Sequence, residues 1–293
     1  MADFRVNIIG AGRVGQSFLG LLRAGTGWAV QDVTSTHISS AEAAVSRAGR
    51  GRAVADLVAM RPADIWILSV PDTKIAEVAA ALADIWPRQA PQSPVPIALH
   101  CSGFFPAETL APLRGLGWHL ASVHPALSFA DPAVAVTLFP GTYCALEGDA
   151  AAIETLGPLL QALGAHPFAV ASKTKSLYHA AAVFSNNFTT VLQAIAREAW
   201  AEAGVPDDVA QALNAGLLRS TLDNVTSVGP TAALTGPAAR GDMAVLSQQA
   251  TDVSAWHPEA GALYRQLSEL ATRLKRDGGT QARAEAPTPD NGE

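Results

Sequence analysis

The sequence predicts an α/β fold, an N-terminal doubly wound parallel sheet followed by an all-α C-terminal domain. Three observations carry this expectation. Short apolar runs alternate with helix-spaced stretches through the first half of the chain. A glycine-rich turn follows the first run at once. From residue 173 onward the alternation gives way to long helical patterns.

Residues 4–9 read as the first strand, residues 14–24 have helical spacing, and residues 28–34 read as the second strand. A third apolar run over 65–70 closes at Pro71-Asp72, and residues 75–85 return to helical spacing. Runs at 97–99 and 120–123 end at His100-Cys101-Ser102-Gly103 and His124-Pro125, and the alternation fades by 168–170. Residues 173–203 contain no Gly or Pro and stop at Gly204 with Pro206 beyond, the pattern of a helix C-cap and a stop. Further helices are expected over 207–228, stopped by Gly229-Pro230, over 242–255 with Asp242 as N-cap, and from Pro258 to about 276. This places an α/β domain at residues 1–171 and a helical domain at 172–276. A disordered tail, rich in Gly, Pro and charge, is expected at 277–293.

Composition narrows the function. The 293 residues carry 20 Lys+Arg against 26 Asp+Glu, a formal net charge of −6, with 49% hydrophobic and only 16% charged residues. So much apolar material argues against disorder, and so few basic residues against binding a nucleic-acid backbone. Two cysteines, Cys101 and Cys144, make no disulfide framework, and neither CxxC nor HExxH occurs. His100, Cys101, His119, His124 and Cys144 match no compact zinc spacing, so no metal is expected. No basic segment precedes a long apolar one at the N-terminus, which predicts a cytoplasmic setting. Residues 176–196 lack formal charge over nearly a bilayer's span. His179, Ser185, Asn186, Asn187, Thr189, Thr190 and Gln193 nevertheless make a helix buried in protein the better reading, and no membrane partner is expected.

Gly10-Ala11-Gly12-Arg13-Val14-Gly15 sits where a strand meets a helix. Gly10 permits the tight turn, Gly12 lets backbone approach a pyrophosphate, and Gly15 lets helix and strand pack closely. The helix N-terminus offers free N–H groups to the anion. A carboxylate about 20 residues on would hold an unphosphorylated ribose, but that region reads Ser35-Thr36-His37, and Asp32 falls inside the strand. Small hydroxyls and an imidazole favour NADP(H) over NAD(H), with Arg47, Arg50 and Arg52 near in sequence to add positive charge.

Ligands of open α/β sheets bind beyond the carboxyl ends of the strands. Three such ends are chemically loaded. Val70-Pro71-Asp72 is expected to border the nicotinamide, with Asp72 itself reading as an N-cap for the next helix. His100, Cys101, Ser102 and Gly103 follow the fourth run, with Cys101 and Gly103 also expected beside the nicotinamide, and His124 follows the fifth. On the long helix, Lys175, His179, Asn186, Thr190, Gln193 and Arg197 recur at steps of three, four or seven, a polar stripe suited to the wall of a cleft between domains. Arg240, in the loop Thr235-Gly236-Pro237-Ala238-Ala239-Arg240-Gly241-Asp242, suits a substrate carboxylate or a cofactor phosphate.

The glycine loop, Val70-Pro71-Asp72, His100-Cys101-Ser102-Gly103, His124-Pro125, Tyr178-His179-Ala180-Ala181, Ser185-Asn186 and Leu234-Thr235-Gly236-Pro237 with Arg240-Gly241-Asp242 together resemble one family. These are the bacterial proteins in which a Rossmann-like domain precedes the domain of unknown function DUF2520. The resemblance covers nearly the whole chain except the tail. It implies a helical domain of the 6-phosphogluconate dehydrogenase type. More distantly it implies similarity to β-hydroxyacid dehydrogenases, ketopantoate reductases and pyrroline-5-carboxylate reductases, nicotinamide oxidoreductases often dimeric through the helical domain. The β-hydroxyacid dehydrogenase pattern places a catalytic Lys about one helical turn before an Asn. Here Val183 and Ala182 precede Asn186 at that spacing, and His179 is the nearest ionisable group on the face.

The resulting expectation is an NADP(H)-dependent oxidoreductase, homodimeric through its helical domain, acting on a small carbonyl, hydroxyl or imine substrate. His179, then His124 and His100, are the candidate proton donors, because histidine titrates near neutral pH, at roughly 6.5. Asn186 and Ser102 are expected to hydrogen-bond the polarised substrate group, with Thr190 and Arg240 as further substrate contacts. The alternative is a sensor that keeps the dinucleotide site without catalysis.

Overall fold

Eight strands form one sheet, in the order β3-β2-β1-β4-β5-β6-β7-β8. They are β1 (Phe4–Ile9), β2 (Trp28–Thr34), β3 (Arg52–Ala53), β4 (Ile65–Leu68), β5 (Ile97–His100), β6 (His119–Pro125), β7 (Tyr143–Gly148) and β8 (His166–Ala169). The computed structural model describes residues 4–23, 27–86 and 94–282. Of the expected tail, residues 283–293 lie outside the described residues.

The chain is an α/β fold with a doubly wound sheet followed by helices, but the sheet is not wholly parallel. β7 runs antiparallel to β6, while β7 and β8 are parallel to each other. β7 escaped the sequence pattern because it reads Tyr-Cys-Ala-Leu-Glu-Gly, with a buried Glu147 interrupting the apolar run. That burial is tolerated because the Glu147 carboxylate accepts the Ala107 N–H at 2.8 Å and the Ser172 hydroxyl at 2.6 Å.

Among the described residues, the α-helices α1 (Arg13–Leu21), α2 (Ile38–Ala48), α3 (Ile75–Ile85), α4 (Pro132–Leu138) and α5 (Ala150–Ala162) pack around the sheet. The period-2 alternation of the strands separates two cores. Ile65 and Ile67 join Phe18, Leu19, Phe139 and Leu156 on one face. Trp66 and Leu68 join Ile75, Leu82 and Leu113 on the other. Trp66 anchors the second core, with its ring 5.1 Å from that of Trp86 and 5.3 Å from that of Trp118.

Asp32 is fully buried in β2 and is held by Arg52 at 2.8 Å and Arg61 at 2.7 Å. Burial pushes its carboxyl pKa up, but the hydrogen bonds from Arg61 and Arg52 outweigh this and bring it down to about 2. A depressed carboxylate pKa contributes stability that is present above the unfolded value of 3.8 and lost as pH falls through the folded one. Acid titration of the wild-type protein should therefore remove on the order of 2 kcal/mol between about pH 4 and pH 2. Asp32→Asn should already have lost that increment at pH 7, and equal acid sensitivity in the two proteins would contradict this.

The described residues divide into two compact units, the first ending at Ser185 and the second beginning at Asn186. The last strand, β8, ends at Ala169. However, α6 (Lys175–Val183) stays with the first unit because its Lys175 is buried there. The expected uninterrupted helix over 173–203 is instead a 3-10 turn (Ser172–Thr174), α6, a π-helical turn (Phe184–Phe188) and α7 (Thr189–Glu202). A π turn inserts one residue into the ladder without needing Gly or Pro, so no breaker marks it in the sequence.

The second unit continues through α8 (Asp207–Val228), α9 (Pro230–Ala233), α10 (Pro237–Arg240), α11 (Met243–Trp256) and α12 (Pro258–Asp277). Asp242 caps α11, accepting from the Val245 N–H, and Pro258 opens α12. Over its 22 residues α8 buries only Ala210 and exposes Leu217, Leu222 and Val228 by about 60% each. Among the described residues no helix is long and apolar enough to cross a membrane.

Candidate functional site

The glycine loop is built as its sequence requires. Gly10 follows β1 with φ +107°, and a Cβ there would stand 2.5 Å from the Ser69 carbonyl oxygen. A Cβ on Gly15 would stand 2.0 Å from the Gly10 oxygen, so α1 lies directly against the turn. Ser69 stitches the turn to β4, its hydroxyl donating to the Gly10 oxygen at 2.9 Å. Gly12, by contrast, is the N-cap of α1 and has nothing within 4 Å of its missing Cβ. The turn is therefore packed tightly from behind and left open at the helix N-terminus, which is the arrangement an anionic pyrophosphate needs.

A cavity of about 380 Å³ brings Gly10, Ala11 and Gly12 together with Ser35 and Thr36 after β2 and Val70 and Pro71 after β4. Arg13, Val14 and Gly15 form the first turn of α1, and His37 is the exposed N-cap residue of α2. The residues present fit a nicotinamide dinucleotide. Asp56 also lines the cavity, an acidic contributor that no motif in the sequence announces. The supporting role expected of the arginines is corrected for two of them. Arg52 is committed to Asp32, and Arg50 donates to the Leu19 and Gly20 carbonyls at the end of α1. Arg47 donates to the Gln16 side chain at 2.7 Å.

A second constellation forms at the ends of β5 and β6, where one turn of α6 meets them. The segment before α6 is pinned to β7 by the Ser172–Glu147 bond. Lys175, Tyr178 and His179, at spacings of three and four, then share one helix face. The Tyr178 hydroxyl and His124 Nδ1 are 2.9 Å apart, and the His124 and His179 rings lie 5.5 Å apart at 83°. Both imidazoles converge on Gly103. A Cβ there would stand 2.4 Å from His179 Nδ1 and 2.8 Å from His124 Nε2, so only glycine leaves them room. His179 Nδ1 is buried and, among the described residues, has no hydrogen-bond partner, an unusual state for a polar atom. Burial, with the nearby His179 and Lys175, pushes the His124 pKa down to about 4, so this ring is neutral at pH 7. Burial raises the Tyr178 pKa, which keeps its hydroxyl a proton carrier rather than a phenolate.

Three expectations are corrected here. His100 is not a free acid: it is fully buried, its Nε2 is 3.0 Å from the Pro106 carbonyl, and its Nδ1 accepts the Ser102 N–H at 3.2 Å. Burial brings its pKa down to about 4. Ser102 has no hydroxyl capacity left for a substrate, because it donates to Asp72 at 2.6 Å and accepts the Phe104 and Phe105 N–H groups. Asp72 does not cap the next helix; its carboxylate receives the Ser102 hydroxyl instead.

Cys101 is half-buried, and burial pushes its thiol pKa up to about 12, so it is inert as a nucleophile. Asn186, Thr190 and Arg240 belong to the second unit. Thr190 donates its hydroxyl to the Asn186 carbonyl within the helix, and Arg240 is exposed at the end of α10. Arg197 of the same polar stripe pairs with Asp207 on the surface. Among the described residues, no group of three or more His, Cys, Asp or Glu side chains is placed to hold a metal ion.

Sequence comparison agrees with this layout. Residues 1–125 match the model of the Rossmann-like domain, and residues 142–271 match DUF2520, a domain of unknown function. The chain thus contains a Rossmann-like domain followed by a DUF2520 domain. No curated protein matches it. Among solved structures, protein TM1727 from Thermotoga maritima is similar, with a TM-score of 0.71 and 22% identity over 93% of this chain and 99% of that one. BF3122 from Bacteroides fragilis, a candidate NADP oxidoreductase, has a TM-score of 0.72 and 23% identity over 92% and 98%. A 1-pyrroline-5-carboxylate reductase from Streptococcus pyogenes has a TM-score of 0.63 and 13% identity over 93% and 99%. At such identities the likeness of this DUF2520 protein to them is one of fold.

Proposed function

We propose that this DUF2520 protein is an NADP(H)-dependent oxidoreductase that transfers a hydride to or from a small carbonyl, hydroxyl or imine substrate. The observation that carries the chemistry is the orphaned, buried Nδ1 of His179 facing Gly103 beside His124 Nε2. The open helix N-terminus at Gly12 supports the cofactor, and the candidate NADP oxidoreductase and pyrroline-carboxylate reductase of similar fold support the reaction class. When bound, the nicotinamide supplies or accepts the hydride. Gly10, Gly12 and the first turn of α1 hold the pyrophosphate, with Ser35 and Thr36 at the adenosine ribose and Val70 and Pro71 lining the same cavity. The His179 imidazole is the proton-transfer group at the substrate oxygen or nitrogen. His124, oriented by Tyr178, completes the pair. Consumption of NADPH over a panel of keto acids, aldehydes and cyclic imines tests this reading. Tight NADPH binding without turnover on any of them would favour a dinucleotide sensor.

The preference for NADP(H) rests on Ser35 and Thr36 and on the lack of a carboxylate at the end of β2. Asp56 in the same cavity suits an unphosphorylated ribose, so comparing NADPH with NADH decides between the cofactors. We further propose a cytoplasmic homodimer joined through the helical domain. The exposed Leu217, Leu222 and Val228 of α8 are costly to leave in water, at roughly 1.5–3 kcal/mol for each such side chain fully buried. Light scattering at micromolar concentration should give a mass near twice the chain's 30.3 kDa, and a monomer would count against it.

A further inference from the structure

We propose that Lys175 is a positioning residue: its ammonium ties the Ser102 carbonyl and the Ser122 hydroxyl to the helix that carries Tyr178 and His179. It thereby sets how Gly103 faces the two imidazoles. The side chain is fully buried. Its Nζ donates to the Ser102 oxygen at 3.1 Å and to Ser122 Oγ. Among the described residues it forms no ion pair, and the nearby Glu147 is spent on Ala107 and Ser172. A buried ammonium without a contacting carboxylate is costly. A merely structural anchor between two strands would be cheaper as an apolar side chain.

The geometry shows what this lysine accomplishes. Ser102 is held on every polar atom. Its N–H goes to His100, its hydroxyl to Asp72, Phe104 and Phe105, and its carbonyl to Lys175. Of these anchors only Lys175 comes from α6. It therefore fixes the next residue, Gly103, against the helix that bears His179. Ser122, the second partner, lies on β6 two residues before His124 and pairs in register with His100. One ammonium thus references both imidazoles to one loop.

The groups that act on His124 are Lys175, Tyr178 and His179 of α6 and Asp72 after β4. Those that act on Lys175 are Glu147, Asp72 and Cys101. The positive charge of Lys175 helps hold His124 neutral. This inference rests on the proposed reading for its catalytic meaning, but its test does not use turnover, so the two fail separately.

The test is an NMR titration of the full-length protein with labelled histidine imidazoles. In Lys175→Met, loss of the charge should move the His124 midpoint upward by at least about 1 pH unit. The His124 and His179 resonances should shift, while His37 and His257 stay in place. A folded Lys175→Met protein with unmoved His124 and His179 overturns the proposal. If that variant does not fold, Ser122→Ala decides, since it removes one partner and keeps the lysine. Shifted His124 and His179 resonances support the proposal, and unchanged ones overturn it.

Discussion

Replacing His179 with Gln should lower kcat by roughly 10²–10⁴-fold, the usual worth of a positioned general acid or base, and leave NADPH affinity nearly intact. Glutamine keeps much of the volume and a hydrogen-bonding tip but carries no titratable proton. The side chain does not line the glycine-loop cavity, so the binding of the nucleotide there is not its concern. Its Nδ1 is buried and has no partner among the described residues, an uncommon state for which a catalytic role is one physical explanation. Steady-state kinetics on whichever panel substrate turns over, run beside NADPH titrations, separates the two effects. Equal losses of kcat and NADPH affinity would remove His179 from the proton-transfer role.

Gly15→Ala should abolish dinucleotide binding and lower thermal stability. The added Cβ would fall 2.0 Å from the Gly10 carbonyl oxygen and 2.6 Å from Ser69 Oγ. The first of these is backbone, already fixed by the positive φ of Gly10 and by Ser69, so it cannot yield as a flexible side chain would. Forcing atoms into a packed site typically costs about 1–3 kcal/mol, and relief requires α1 to move away from β1. That movement would take the helix N-terminus from the position that receives the anion. The expected result is a lower Tm and no stabilisation by NADPH. A folded Gly15→Ala protein that still gains stability from NADPH would contradict the role given to the loop.

Much of this architecture is written locally. The strands β1 and β2 and helix α3 have the bounds their patterns suggest, because each is a mostly apolar run or a helix-spaced stretch with a clear end. His124 and His179 stand out in the sequence for a related reason. One follows an apolar run at the end where ligands bind, and the other lies on a helix face with too few charges for a solvent side. What stayed hidden depends on partners distant in sequence. Lys175 reads as one more member of a polar stripe, and its buried role rests on Ser102, 73 residues away. His100 and Ser102 look catalytic beside a strand end until Pro106, Asp72 and the Phe104 and Phe105 N–H groups consume their polar atoms. Asp72 reads as a helix cap because capping is a local preference, yet a hydroxyl from a neighbouring strand end claims it. β7 was missed because a buried Glu looks polar until Ala107 and Ser172 are seen to satisfy it.

Thermal unfolding of the full-length protein with NADPH or with NADH tests the central claim most directly. A ligand that binds only the folded state stabilises it by about 2.7 kcal/mol at one hundred times its Kd, which moves Tm by a few degrees or more for a chain of this size. The expected result is a clear upward shift with NADPH and a smaller one with NADH. No shift with either nucleotide at millimolar concentration would contradict the dinucleotide site, and with it the proposed oxidoreductase.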